Sequence, residues 1–244
     1  MRSPEARVSI IVPTKNERDN LPRLLATVPP EVELLICDES DDGTPELARE
    51  LRPTNTRVLR VRGSIAAARQ AGAEASSGDV LVFTDADVEL APDYVDRLLA
   101  EPGWDAICGA KLSRDAYDRY YRLVAAAQRA TFSLTGIAGA SGSNMALTRT
   151  AFFEIGGFRP DLRCNEDTEL FLRAHRLGLP TRFDDRLVVW ANDHRRLRRG
   201  LVWKSAHSLV RNALLYAVCR RATLPRLLED DWAYWARPSA SQTR

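Results

Sequence analysis

Between residues 8 and 83 the hydrophobic pattern alternates between two periods, and this alternation limits the possible folds more than any other feature of the chain. Four short apolar runs read as buried strands: VSIIVP (Val8 to Pro13), VELLIC (Val32 to Cys37), RVLRV (Arg57 to Val61) and DVLVF (Asp79 to Phe83). The stretches between them have helical spacing. Leu21, Leu24, Leu25 and Val28 share one face, Thr44 caps a helix that begins at Pro45, and Ser64 opens an alanine-rich helix closed by Gly78. Such alternation builds a mostly parallel central sheet with helices on both faces, an α/β fold.

Beyond Ala91 the rhythm loosens. The pattern predicts a helix near Pro92 to Leu99, a strand near Trp104 to Gly109, and a helix in DAYDRYYRLVAAAQRATF that carries Tyr117, Tyr121, Val124 and Gln128 on one stripe. A Gly/Ser-rich loop, GIAGASGSN, comes next. A helix in TAFFEIGGF stopped by two glycines follows, then one in EDTELFLRAHRLG with Leu170, Phe171, Ala174 and Leu177 on its apolar face, then a late strand in LVVWAN. The basic stretch HRRLRRG leads into a last helical region, and the tail reads as disordered. With 244 residues, 45% of them hydrophobic, the chain can bury one substantial core. No repeat or linker divides it. The expected layout is a single domain over residues 1–236, with halves at 1–110 and 111–200, C-terminal helices at 201–236 and a tail at 237–244.

In an open parallel sheet, ligands bind beyond the carboxyl ends of the strands. Three of the early strands end there in polar sequence: PTKNE, DESDDGT and TDAD. Each stretch alone also resembles a turn or a helix cap, and Asp41, Asp42 and Thr44 are read that way. Gathered at one edge, the three point to a site. Asp85 and Asp87 stand one residue apart and repel each other; a divalent cation shared with an anionic ligand relieves that repulsion. Mg²⁺ or Mn²⁺ completed by phosphate oxygens fits, and it would stabilise a diphosphate leaving group. No Gly-x-Gly-x-x-Gly follows any of these strands and no Gly-Lys-Ser/Thr is present, so the metal must hold the phosphates.

These residues resemble the family 2 glycosyltransferases, which have the GT-A fold, over about the first 190 positions. The resemblance rests on SIIVPTKNE, ICDESDDGT and SIAAARQAGAEASSGDVLVFTDAD, followed by GSNMALTRTAFFEIGGF and NEDTELFLRAHRLG in that order. It implies that Pro13, Thr14, Glu17 and Asp38 surround the nucleoside of a nucleoside-diphosphate sugar, and that Arg69 belongs to the same nucleotide site. Asp85 would face ribose and metal, with Asp87 as the principal metal ligand. Asn144 and Glu166 would lie on the acceptor side. Asp167 would be the general base that deprotonates an acceptor hydroxyl, inverting configuration at the sugar. A carboxylate in the first turn of a helix is also favoured in its ionised form by the helix dipole, although that position equally suits a plain cap. Two departures leave the donor base open: Gln70 stands where the family often has Asn, and Glu39 replaces a second aspartate in a loop one residue shorter. His194 has two readings, a metal or diphosphate ligand and an ordinary loop residue.

A formal charge of +2 is too balanced to imply nucleic acid, and the basic run Arg195, Arg196, Arg198 and Arg199 lacks interleaved aromatics. That run is either a solvated face, a closure over diphosphate or a contact for anionic lipid. A nucleotidyltransferase would carry a glycine-rich loop after the first strand, and PTKNERDN has no glycine. A non-catalytic nucleotide-binding protein would be expected to lose Asp87 or Asp167, and both are present. The Gln-x-x-Arg-Trp motif of processive synthases is absent, which favours a single transfer per encounter. Four separated cysteines, Cys37, Cys108, Cys164 and Cys219, read as reduced thiols of a cytoplasmic protein. Apolar runs at both ends fall short of a signal peptide or a span of roughly 18 residues. The acceptor is left open among a polyprenyl phosphate lipid, a glycan, a protein and a small alcohol. Trp203, Tyr216, Trp232 and Trp235 among arginines are compatible with peripheral membrane contact, as well as with ordinary helix packing.

Overall fold

The computed structural model describes residues 6–160, 162 and 165–192. In chain order the elements are β1 (Val8–Thr14), α1 (Leu21–Leu25), β2 (Glu33–Asp38), α2 (Thr44–Leu51), β3 (Thr56–Arg60), α3 (Ile65–Ala75), β4 (Val80–Thr84), β5 (Val88–Leu90) and α4 (Tyr94–Ala100). There follow β6 (Ala106–Ser113), α5 (Asp118–Thr135), β7 (Asn144–Thr148), α6 (Arg149–Glu154), α7 (Glu166–Arg176) and β8 (Thr181–Ala191). One sheet holds the described strands in the order β3-β2-β1-β4-β7-β6-β8-β5.

The apolar runs of β1, β2 and β4 form strands because both of their faces are covered, whereas β3, expected as buried, is a half-exposed edge strand. Ile10, Val12, Leu34, Ile36, Val80 and Val82 point into one core with Leu21, Leu24, Ala48, Tyr94 and Leu98 from α1, α2 and α4. Their neighbours Ile11, Leu35, Cys37, Leu81 and Phe83 point the other way, against α3, α6 and α7. The period of two along each strand feeds both layers, which is why these strands read as continuous hydrophobic runs. On the second face the Phe83 ring lies 5.4 Å from Phe152 and 5.0 Å from Phe158 between centroids. Each such burial contributes about 1.5–3 kcal/mol.

The β1–β2, β2–β3, β1–β4 and β6–β8 pairings are parallel. The sheet is nevertheless mixed, because β7 runs antiparallel to both β4 and β6, and β5 antiparallel to β8. Neither β5 nor β7 is expected from the sequence pattern, which assigns no element to VEL and leaves MALT between a loop and a helix. The last strand is longer than expected, starting at Thr181 rather than near Leu187. Two helix ends also differ. Gly43 caps α2 in a left-handed conformation while the Asp42 carboxylate accepts from the Thr44 amide at 3.0 Å, so Thr44 is the first helical residue. Leu177 sits at the C-cap of α7 and is exposed, whereas Leu170, Phe171 and Ala174 are buried as expected.

Cys37 and Cys108 are free and buried, and burial pushes the Cys37 thiol up to about 12. Cys164 and Cys219, the expected C-terminal helices at 201–236 and the tail lie outside the described residues. Among the described residues no helix is long and apolar enough to cross a membrane.

Candidate active site

The carboxyl ends of β1, β2 and β4 meet at one edge, and their loops are stitched together by short polar contacts. Thr14 and Asp38 are register partners at the ends of β1 and β2, and the Thr14 hydroxyl donates to Asp38 Oδ1 at 2.7 Å. Asn16, held at φ 55°, receives the Asp41 amide on its side-chain oxygen and donates its own amide to Ser40 Oγ. Glu39, the departure from the commoner aspartate, is paired with Lys15 at 3.0 Å. Pro13 is buried at the end of β1, and Glu17 accepts from the Asn20 side chain at 2.7 Å.

Asp38 is fully buried and its carboxylate is engaged from within. Besides Thr14 it accepts from the Ser40 amide and hydroxyl, at 2.9 and 2.5 Å, and from Arg60 Nη1 at 2.9 Å. Arg60 ends β3 opposite Asp38 and is half exposed, so it is the member of this cluster that reaches solvent. Sequence reasoning missed Arg60. Only the parallel register of β2 and β3 brings it to the site.

After β4 the chain turns through Asp85 and Asp87. Asp85 accepts from Arg69 Nη2 at 2.7 Å on one oxygen and from the Ser143 hydroxyl at 2.6 Å on the other. Asp87 differs: its Oδ1 is buried with no hydrogen-bond donor among the described residues, and Lys111 Nζ stands 3.7 Å from it. Lys111, from β6, also donates to Ser143 Oγ at 3.1 Å. A buried carboxylate oxygen left without a donor costs free energy unless something positive completes it.

The antiparallel direction of β7 explains how the acceptor-side residues arrive. Thr84, at the end of β4, pairs with Asn144, at the start of β7, so the loop entering β7 lands beside Asp85. In that loop the Gly142 amide donates to Asp167 Oδ2 at 2.7 Å, and the Gly142 carbonyl accepts from Arg69 Nη2 at 2.8 Å. Asp167 lies in the first turn of α7, and its other oxygen accepts from the Thr168 amide at 2.6 Å. Glu166 is buried one residue earlier and accepts from Arg69 Nη1. Burial pushes the Glu166 carboxyl above its usual range, with Asp167 and Asp85 adding to the rise and Arg69 opposing it. Arg69 has no exposed surface. It forms a buried bridge between Asp85, at the edge where the nucleotide site is expected, and Glu166.

Asn144, expected on the acceptor side, is a structural tie within the sheet. Its side chain is wholly buried in the sheet, donating to the carbonyls of Ala110 and Leu187 at 2.9 and 2.8 Å and accepting from the Tyr94 hydroxyl. Both of its N–H donors are used to tie β7 to its neighbours. Gln70, in place of the commoner Asn, accepts from the Phe158 amide at 2.9 Å and so anchors the GGF turn to α3.

The described residues include no group of three or more His, Cys, Asp or Glu arranged to hold a metal ion. His194 lies outside the described residues. The donor set nonetheless fits a hard divalent cation that takes part of its shell from phosphate oxygens, because the Asp87 Oδ1 lacks a hydrogen bond and Asp85 stands one residue away. Among the described residues, Arg69 pairs with Asp85 and Glu166 and Lys111 with Asp87, so several carboxylates gather at this edge beside Asp167.

The family model for glycosyl transferase family 2 matches residues 9–158, more than half of the chain. The chain belongs to glycosyl transferase family 2. Among curated members, the polyprenol monophosphomannose synthase of Mycolicibacterium smegmatis is 36% identical over 122 residues, covering 44% of this chain and 46% of that protein. The undecaprenyl-phosphate 4-deoxy-4-formamido-L-arabinose transferase of Aeromonas hydrophila is 31% identical over 134 residues, covering 48% and 40%. The matched stretch thus spans less than half the length of these relatives. Among solved structures, the mannosyltransferase PcManGT from Pyrobaculum calidifontis, in complex with GDP-Man and Mn²⁺, superposes with a TM-score of 0.70 at 23% identity. That match covers 94% of this chain and 70% of the other. The glucosyl-3-phosphoglycerate synthase of Mycobacterium tuberculosis, in complex with Mn²⁺, UDP and glucosyl-3-phosphoglycerate, gives 0.57 at 23%, covering 80% and 75%. These likenesses establish the GT-A fold for the family 2 chain.

Proposed function

We propose that this chain transfers a sugar from a nucleoside-diphosphate sugar to a polyprenyl phosphate, one sugar per encounter, with Mn²⁺ or Mg²⁺ held at Asp87 and Asp85. The observation that carries the reading is the buried Asp87 Oδ1, which has no hydrogen-bond donor among the described residues, beside a second carboxylate at the carboxyl edge of the sheet. The named curated relatives, which act on polyprenol and undecaprenyl phosphates, support the acceptor.

In this reading the loops after β1 and β2 form the nucleoside side of the site, with Thr14 and Asp38 fixing its floor and Arg60 presented to the ligand. A bound dication supplies charge neutralisation for the departing diphosphate. Lys111 is held near the same position by Ser143 and Asp87, where a second positive charge would meet phosphate oxygens. Asp167, fixed by two backbone N–H groups, faces the acceptor from the opposite side of the sugar, which gives inversion. Toward a hydroxyl acceptor its task is to take the proton. A phosphate monoester loses its second proton near pH 6, so toward a polyprenyl phosphate Asp167 mainly orients the acceptor. Work at a membrane lipid implies a cytoplasmic, membrane-associated protein.

The test has two stages. UDP, GDP, CDP, dTDP and ADP are screened by thermal shift with and without Mn²⁺, because a ligand bound to the native state raises its melting temperature. The sugar donors of the responding nucleotide are then offered with a short polyprenyl phosphate and with a glycan. A metal-dependent shift followed by lipid glycosylation is expected. No shift with any nucleotide refutes the site, and transfer to the glycan alone refutes the acceptor.

A further inference from the structure

We infer that Arg69 is a positioning residue that locks the metal-side aspartate Asp85 to the acceptor-side helix α7, so that filling the donor site sets the geometry of Asp167. This inference rests on the proposed donor and metal site. Arg69 lies on α3 among small residues, Ala66, Ala68, Gly72 and Ala73, which let the helix approach the sheet closely. Its guanidinium is fully buried, and its two terminal nitrogens diverge: Nη2 donates to Asp85 and to the Gly142 carbonyl, Nη1 to Glu166. The Gly142 amide in turn donates to Asp167. One planar cation therefore touches the donor half directly and reaches the candidate base by two short routes, through Glu166 and through Gly142.

A buried ion network is a poor way to gain stability, since well-packed apolar side chains of similar volume do as well or better. It is a good way to fix relative positions, because the guanidinium fork is rigid and directional in a way that an ammonium is not. Metal and donor phosphates at Asp85 would stiffen one end of the fork, and α7 is bound to the other.

Arg69→Lys keeps the charge but replaces the rigid fork by three rotatable donors at one point, so it no longer fixes Asp85, Gly142 and Glu166 in set directions. In the full chain with an intact circular dichroism spectrum, kcat is expected to fall at least about 30-fold while the donor KM changes less than about threefold, the signature of an interaction used in the transition state. A second readout does not need turnover. Adding Mn²⁺ with GDP or UDP to the wild type should slow amide exchange both at residues 84–88 and at residues 140–143 and 165–172; in Arg69→Lys only the first segment should respond. Unchanged kcat, or protection of all three segments in the variant, overturns the inference. A large rise in donor KM at constant kcat also overturns it and returns Arg69 to the nucleotide site. If Arg69→Lys fails to fold, Glu166→Gln weakens the α7 end of the bridge and leaves Asp85 paired, and the same readouts apply. A wild type that binds neither nucleotide with Mn²⁺ refutes the donor-site reading itself, an outcome visible before any variant is made.

Discussion

Replacing Gly142 by alanine should be far more damaging than a one-carbon change in a loop ordinarily is. Gly142 does not have a positive φ, so alanine meets no backbone penalty there and the cost is steric. A Cβ at this position would lie 2.5 Å from both Nη1 and Nη2 of Arg69 and 2.8 Å from Cζ. A flexible surface arginine would swing aside, but this one is fully buried and pinned by Asp85 and Glu166. Relief requires either a shift of the loop or loss of one charge-assisted hydrogen bond. Overpacking costs about 1–3 kcal/mol and a bond to a charged partner is worth about 1.5–3 kcal/mol, so a loss near 2–3 kcal/mol is expected. For a chain of this size that lowers Tm by roughly 4 to 12 °C. The measurement is urea denaturation of wild type and Gly142→Ala at neutral pH, with melting curves as a check. A change under about 0.5 kcal/mol, the level of an indifferent surface substitution, would refute the claim that Arg69 is held rigidly.

Asp87→Asn should leave the apo melting temperature nearly unchanged, since the Asp87 Oδ1 accepts no hydrogen bond, yet erase the Mn²⁺-dependent shift by nucleotide; a retained shift would remove Asp87 from the metal site. Asp167→Asn places an NH₂ group against one of two backbone N–H donors and should cost about 1–3 kcal/mol of stability while nucleotide binding survives. Its transfer rate should fall much further with a hydroxyl acceptor than with a phosphate one, and equal losses on both would contradict the role given to Asp167. Glu166 supplies a test by pH. Its folded pKa lies above the ordinary 4.5, so its favourable contribution is complete below that value and is lost as pH rises through the raised one. The stability of Glu166→Gln relative to wild type, followed by denaturation from acid to neutral pH, should therefore improve with rising pH; a steady decline would mean that Arg69 outweighs burial at this carboxyl.

The donor half was legible because its elements are local. β1, β2 and β4 are runs of residues buried on both faces, β3 is a short half-exposed strand that sets Val58 and Leu59 between arginines, and the spacing of Asp85 and Asp87 survives any error in element boundaries. The second half depends on contacts distant in sequence. Met145, Ala146 and Leu147 are good helix formers, and only the slot between β4 and β6 makes them a strand. Asn144 reads as a polar residue at a loop end, and nothing local reveals that Tyr94, Ala110 and Leu187 surround it. Arg69 is placed in the nucleotide site only by the family resemblance, and its bridging role is invisible in sequence because its partners lie 16 and 97 positions away. Lys111, Ser143 and Arg60 carried no signal beyond their residue type. Asp167 was found through the motif it shares with a family, whereas its two backbone donors appeared only with the fold.

The reversed strand β7 has an implication for how such a chain diversifies. Its five register pairs with β4, from Val80 opposite Thr148 to Thr84 opposite Asn144, fix where the strand begins regardless of how the chain reaches it. The segment between Thr135 and Asn144 can therefore gain or lose residues upstream of Gly142 without moving the paired aspartates after β4. On the reading proposed above, acceptor choice and donor chemistry would in this sense be separately inherited: new partners could be acquired by remodelling one loop while the carboxyl edge stays as it was.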